Sequence, residues 1–245
     1  MLQQLIQSKE QQIINHPDYQ LAVLSVKSRH LFASDHLPPL ATAILGVIGG
    51  NSIARSHLKH FMQRVVAQSP SHQPFHVPIA QDHFKTRYYE LSPSNLEQWL
   101  MASASIPFVI PAVRDIPAAE PGAYRDGGLI DYHIDLPFGR DGLVLYPHFS
   151  NRITLGWFDK SLKKRHCSPD YHARTVLISP SVSYLQSLPL GRLPDRQDFS
   201  LKGLSDAERI RLWTQNIVES QRLGDEFFEM LERQNFHSVW NDLHP

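Results

Sequence analysis

The apolar positions of this chain change period along its length, and the changes predict a mixed α and β protein. Leu2, Leu5, Ile6, Ile13 and Ile14 fall near helical spacing, so residues 1–14 read as a helix that Asn15-His16-Pro17-Asp18 ends. Leu21 to Val26 reads as a strand. Residues 52–67, from His57-Leu58-Lys59-His60-Phe61 to Val65-Val66, have a helical pattern, with Asn51 or Ser52 as the expected N-cap. Ser69 to Gln81 is a polar, proline-bearing loop, and Arg87 to Leu91 is strand-like. Ser94-Asn95-Leu96-Glu97 has capping-box spacing and opens a helix through Trp99, Leu100 and Met101 into Ala102-Ser103-Ala104-Ser105. Gly142 to Tyr146 and Thr175 to Ser179 are continuous apolar runs of the kind found in buried strands. A second capping box, Ser205-Asp206-Ala207-Glu208, opens the last helix, whose face of Ile210, Trp213, Ile217, Phe227 and Leu231 is expected to dock on the sheet. No repeat or linker interrupts the pattern, so residues 1–245 read as one domain.

The most apolar stretch, Leu37 to Gly50, contains two prolines and three glycines. It is shorter than the ~20 residues needed to span a bilayer. Two readings stand for Leu40 to Ile48: a buried core segment, or an insert lying in a membrane interface or covering an acyl-chain pocket. With 42% hydrophobic residues among 245, the chain can bury a sizeable core. Twenty-four basic residues balance twenty-four acidic ones, so no overall field draws it to nucleic acid. A single cysteine rules out an internal disulfide framework and fits a reducing compartment. The polar start, Met1 to Glu10, lacks the apolar run of a secretory signal. The expected location is cytoplasmic, with peripheral membrane contact if the apolar insert meets lipid.

The chemistry concentrates between Ala102 and Phe138. Tyr124-Arg125-Asp126-Gly127-Gly128-Leu129-Ile130-Asp131 reads as a strand ending in a carboxylate on a two-glycine turn. Gly127 and Gly128 tolerate positive φ and close approach by another backbone, so the turn can aim Asp126 into a cleft. Upstream lies Ala102-Ser103-Ala104-Ser105-Ile106-Pro107, a small-residue run closed by proline, and downstream Asp135-Leu136-Pro137-Phe138. Together these motifs resemble the C-terminal half of patatin-like phospholipases, in which such a run precedes an aspartate-glycine-glycine turn. The resemblance implies an α/β fold with a mixed or mostly parallel sheet flanked by helices. It also implies that Asp126 is one half of a Ser–Asp catalytic dyad, supported by the turn glycines Gly127 and Gly128.

The resemblance further implies a nucleophile elbow, Gly-x-Ser-x-Gly, and a glycine-rich oxyanion loop. This chain has neither in that form. Gly50-Asn51-Ser52-Ile53-Ala54 comes nearest, but Ala54 stands where the elbow needs glycine. The strand expected between serine and aspartate is best matched by Leu21 to Val26, which precedes Ser52. Ser52 is therefore a weak nucleophile candidate, and the chain reads as the C-terminal two thirds of a patatin-like protein truncated at its N-terminus.

Other candidates have plainer readings beside the chemical ones. Asp131 reads as a solvated or hydrogen-bonded turn residue. His57 and His60, three apart, could share a metal, but no carboxylate or cysteine completes a ligand set, and no metal or cofactor is expected. Cys167 follows Lys163-Lys164-Arg165-His166, a setting that favours thiolate, yet reads as an inert loop cysteine. Lys160, Lys163, Lys164, Arg165 and His166 follow Gly156-Trp157-Phe158, and basic residues beside exposed aromatics suit an anionic lipid surface as well as a solvated loop. The leading expectation is a lipid acyl hydrolase acting on a lipid or ester substrate, with this chain inactive alone. The alternatives are a non-catalytic lipid-binding or interaction protein, and an unrelated hydrolase pairing Ser52 with Asp126 or a histidine.

Overall fold

The structure is a computed structural model that describes residues 6–70, 82–137 and 142–234. It comprises two compact units, Met1–Phe138 with Ile153–Ala173, and Gly139–Arg152 with Arg174–Pro245. Within the expected first helix the described helical segment is α1 (Glu10–Ile14), while residues 1–5 lie outside the described residues.

The first unit is built on four strands. β1 (Ala22–Ser28), β2 (Met62–Gln68), β3 (Thr86–Glu90) and β4 (Ala123–Asp126) lie in the order β3-β2-β1-β4. β1 runs antiparallel to both β2 and β4, whereas β2 and β3 are parallel, so the sheet is mixed. Two helices supply most of its cover: α2 (Leu37–Ile53) and α3 (Leu96–Ser103). Because strand side chains alternate, β1 divides its residues between two cores. Val23 joins Val65, Ala67 and Tyr124 against Leu96, Trp99 and Ala102 of α3. Val26 joins Met62, Phe32 and Leu58 against Leu40, Ala43 and Val47 of α2. Trp99 anchors the first core, with Tyr89 stacked on it at 5.3 Å and Tyr124 edge-on at 5.1 Å.

Local pattern misleads at three places in this unit. Residues 52–67 do not form a helix: Arg55–His60 is a 3-10 turn and the rest enters β2. The spacing of Leu58, Phe61 and Val65 fits a helix, but Val65 and Val66 are β-branched and are covered from both sheet faces, which decides for a strand. Ser52 is correspondingly not an N-cap. It lies in the last turn of α2, and its hydroxyl donates to the Ile48 carbonyl at 2.8 Å. At Ser94-Asn95-Leu96-Glu97 no capping box forms. Asn95 is buried and accepts from Ser92 N–H while donating to the Glu90 and Pro117 carbonyls, so it secures the loop instead of the helix end. Of the Ser69–Gln81 loop, residues 71–81 lie outside the described residues.

The second unit holds β5 (Val144–Pro147) and β6 (Thr175–Ile178), paired parallel as a separate two-stranded sheet. These runs are half-buried to exposed, not the buried strands their composition suggests, because among the described residues no strand pairs beyond either one. After α4 (Val182–Ser187) comes the long α5 (Asp206–Arg233), which opens on the expected capping box between Ser205 and Glu208. Its inward stripe is rotated from the expected one. Asn216 is buried and Trp213, Leu223, Phe227 and Met230 are half-buried, whereas Ile210, Ile217 and Leu231 are exposed. The cause is local: buried Asp198 accepts from the Trp213 indole at 2.8 Å, and Phe199 stacks under the Arg209 guanidinium, which turns that side of α5 inward.

Candidate functional site

β4 ends at Asp126, and the small-residue run reaches it there. The Tyr124 and Val113 backbones exchange hydrogen bonds, and Asp126 N–H donates to the Ser105 carbonyl at 3.2 Å. α3 runs through Ala102 and stops before Pro107, with the Ser105 hydroxyl returning to the Met101 carbonyl at 2.8 Å. Two motifs about twenty residues apart in sequence are thus joined at one sheet end. Of the trailing Asp135-Leu136-Pro137-Phe138 segment, Leu136 is buried and Phe138 lies outside the described residues.

The two glycines serve different needs. Gly127-Gly128-Leu129 forms one 3-10 turn capped by Asp126, and neither glycine takes a positive φ. The expectation of left-handed backbone is therefore corrected in favour of close approach. A Cβ on Gly127 would lie 2.5 Å from both the Leu24 carbonyl carbon and oxygen in β1, a distance no side chain tolerates. Gly128 donates its N–H to Asp126 Oδ1 at 2.7 Å, and a Cβ there would crowd the same oxygen at 3.1 Å.

Asp126 itself is half-buried. Burial pushes its carboxyl above the ordinary aspartate range, while the Gly128 N–H and the nearby Lys160 charge offset part of that rise. The Gly128 N–H is the one hydrogen-bond donor its side chain meets among the described residues. Lys160 lies over the Tyr132 ring, 4.0 Å from its centre, so the mouth of the turn carries one cation and one aromatic face. Arg125 alternates to the opposite side, as strand geometry requires, and binds Asp35 at 2.6 Å and the Ser34 carbonyl at 2.9 Å.

Behind the turn lies a buried charge network that local pattern does not reveal. Asp131 is hydrogen-bonded and not solvated: its N–H closes the turn on the Gly127 carbonyl, and its two oxygens accept from Arg64 Nε and Nη2 at 2.6 and 2.7 Å. The same guanidinium reaches both oxygens of Asp82. Arg55 donates to the Ile130 carbonyl at 2.6 Å and lies 3.5 Å from Asp159. Arg165 also binds Asp159, together with Asn51. The network ties the segment after Asp126 to β2 and to the end of α2. Alternation places Arg64 of β2 on the α2 side, but only register opposes it to Asp131.

Other candidates resolve individually. Ser52 is exposed on α2 and makes no hydrogen bond to Asp126. His57 Nδ1 donates to the Gly50 carbonyl at 3.1 Å, and its ring lies 6.4 Å from that of His60. Among the described residues no group of three or more His, Cys, Asp or Glu could hold a metal ion. Cys167 is buried. The basic cluster is not a uniform patch beside exposed rings: Arg165 turns inward, and Phe158 is buried in the α2 core. Lys163, Lys164 and His166 are exposed.

No family model, curated protein or solved structure matches this chain.

Proposed function

We propose that this chain carries the proton-accepting half of a patatin-like Ser–Asp site that hydrolyses carboxylic esters of lipids. The observation that supports the reading is the setting of Asp126: a carboxylate at a strand end, lifted in basicity by burial, with a single N–H on Oδ1 and Oδ2 left to accept a proton. In the proposed reaction a serine Oγ attacks the ester carbonyl as its proton passes to Asp126, with no histidine between them. The protonated Asp126 then returns the proton to the leaving alkoxide as the tetrahedral intermediate collapses. Water, deprotonated by the same carboxylate, releases the acid from the acyl-serine. No serine hydroxyl among the described residues hydrogen-bonds Asp126, so this reading takes the nucleophile and the oxyanion loop from outside the described residues.

The same observation favours a second reading, a lipid-binding or interaction protein that keeps the fold without the nucleophile. Ester turnover separates the two. The chain alone is expected to hydrolyse p-nitrophenyl esters no faster than Asp126→Ala; joined to a segment with a Gly-x-Ser-x-Gly elbow, it is expected to turn them over. Turnover by the chain alone that disappears in Ser52→Ala would overturn the assignment of the nucleophile. Failure of the elbow-bearing form would favour the binding protein.

Contact with a lipid surface belongs to either reading. α2 buries Leu40, Ala43 and Val47, yet leaves Leu45 72% and Ile53 78% exposed, with Leu37 and Ile48 also outward. Apolar side chains on an otherwise core-forming helix suit insertion into a membrane interface. No helix among the described residues is long and apolar enough to cross a membrane.

A further inference from the structure

Register places a second hydroxyl-bearing residue at the Asp126 site. In the β1–β4 ladder, Ser25 stands directly opposite Asp126. The N–H groups of Tyr124 and Asp126 are directed away from β1, to the Val113 and Ser105 carbonyls. Backbone groups alternate sides along a strand, so Arg125 faces β1, and the Ser25–Asp126 pair is of the non-hydrogen-bonded kind. In such pairs the Cα atoms approach to about 4.5 Å and side chains on one face are closest. Both residues point to the α3 side, as their neighbours Val23 and Tyr124 do.

Ser25 is 1% exposed, and its Oγ has no hydrogen-bond partner. A buried hydroxyl left unsatisfied is costly, and alanine would fill the same place without that cost. Among the described residues Asp126 Oδ2 likewise has no hydrogen-bond donor, and Oδ1 accepts from Gly128 N–H. Side chains of a directly opposed, non-hydrogen-bonded pair stand close enough for a hydroxyl and a carboxylate to meet.

We propose that Ser25 is a positioning residue for Asp126: its hydroxyl donates to Oδ2 of the ionised carboxylate, holding it in the orientation that Gly128 sets at Oδ1. The role rests on the reading of Asp126 as proton acceptor, but the hydrogen bond itself does not depend on catalysis. Ser25 is not assigned as a nucleophile, because it lies within a paired strand and is covered. When the nucleophilic serine hydroxyl arrives at Oδ2, the Ser25 hydroxyl steadies the anion before transfer and yields as the proton arrives.

The test is a carboxyl-carbon NMR titration of the whole chain labelled at aspartate side chains, with the Asp126 signal assigned by its loss in Asp126→Asn. Lys160 is the charged side chain that acts on Asp126, so it is kept in every variant. Removing a donor to the ionised form raises the pKa, so Ser25→Ala is expected to shift the Asp126 midpoint upward by about one unit. Ser25→Cys, close in shape but a weak donor, is expected to shift it the same way. Ser28→Ala removes the other buried unpartnered hydroxyl of β1, on the opposite face, and is expected to leave the midpoint unchanged. An unchanged Asp126 midpoint in both Ser25 variants would overturn the proposal. Because the readout is a titration, it fails or succeeds separately from ester hydrolysis.

Discussion

Asp126 faces opposed demands from stability and chemistry. Its carboxyl titrates above the ordinary aspartate range because burial penalises the anion more than the Gly128 N–H and Lys160 favour it. A group raised in this way contributes stability that is fully present below the unfolded value and is lost as pH rises through the folded one. Asp126→Asn is therefore expected to melt above wild type near pH ~7 and level with it below about pH 3, where both side chains are uncharged. In the elbow-bearing form the same substitution is expected to lower kcat by at least ~10², the scale of a general base. Thermal unfolding at the two pH values and steady-state ester kinetics check the two halves. A variant both less stable and less active would make the turn structural and remove the central residue of the acyl-hydrolase reading.

Among the elements, the segment after Asp126 is held by ion pairs and the last helix by its cap. Asp131 is 5% exposed and receives two hydrogen bonds from Arg64, itself 1% exposed. Removing one partner of a buried pair leaves the other charge uncompensated, at about 3–5 kcal/mol, though Asp82 retains part of the Arg64 charge here. Asp131→Asn is accordingly expected to lose about 3 kcal/mol in urea unfolding, with a smaller effect on ester kcat than Asp126→Asn. In α5, Ser205 accepts from Glu208 N–H, and Glu208 accepts from Ser205 N–H. Ser205→Ala is expected to cost about 1 kcal/mol, read as a fall in the unfolding midpoint without a change in the Asp126 titration.

For the whole molecule, charge balance makes apolar exposure the feature expected to govern association. Twenty-four cations against twenty-four anions provide no strong field of either sign. The exposed side of α2 is then the surface expected to meet lipid. Binding to phosphatidylcholine vesicles, measured by co-sedimentation, is expected to fall at least about a hundredfold in a Leu45→Glu, Ile48→Glu double variant, since two buried side chains contribute roughly 1.5–3 kcal/mol each. Equal binding by the variant and the parent would assign this face to another role.

What the residues determine by themselves is local. The β1 strand, the Ser205 capping box, the end of α3 before Pro107 and the Asp-Gly-Gly turn are legible because each depends on neighbours within a few positions. Alternation likewise separates Arg125 from Asp126. The tertiary structure decided what depends on burial and register. Leu58, Phe61 and Val65 keep helical spacing, but the packing of both sheet faces makes Met62–Gln68 a strand. In the sequence Gly127 looks no more necessary than any other glycine, and only the approach of the Leu24 backbone from β1 shows why it is required. Asp131 is a core ion-pair residue because β2 brings Arg64 to it, and Ser25 meets Asp126 because an antiparallel ladder aligns residues a hundred positions apart. Side-chain period is a property of the chain, whereas pairing across strands is set by the free energy of the assembled core.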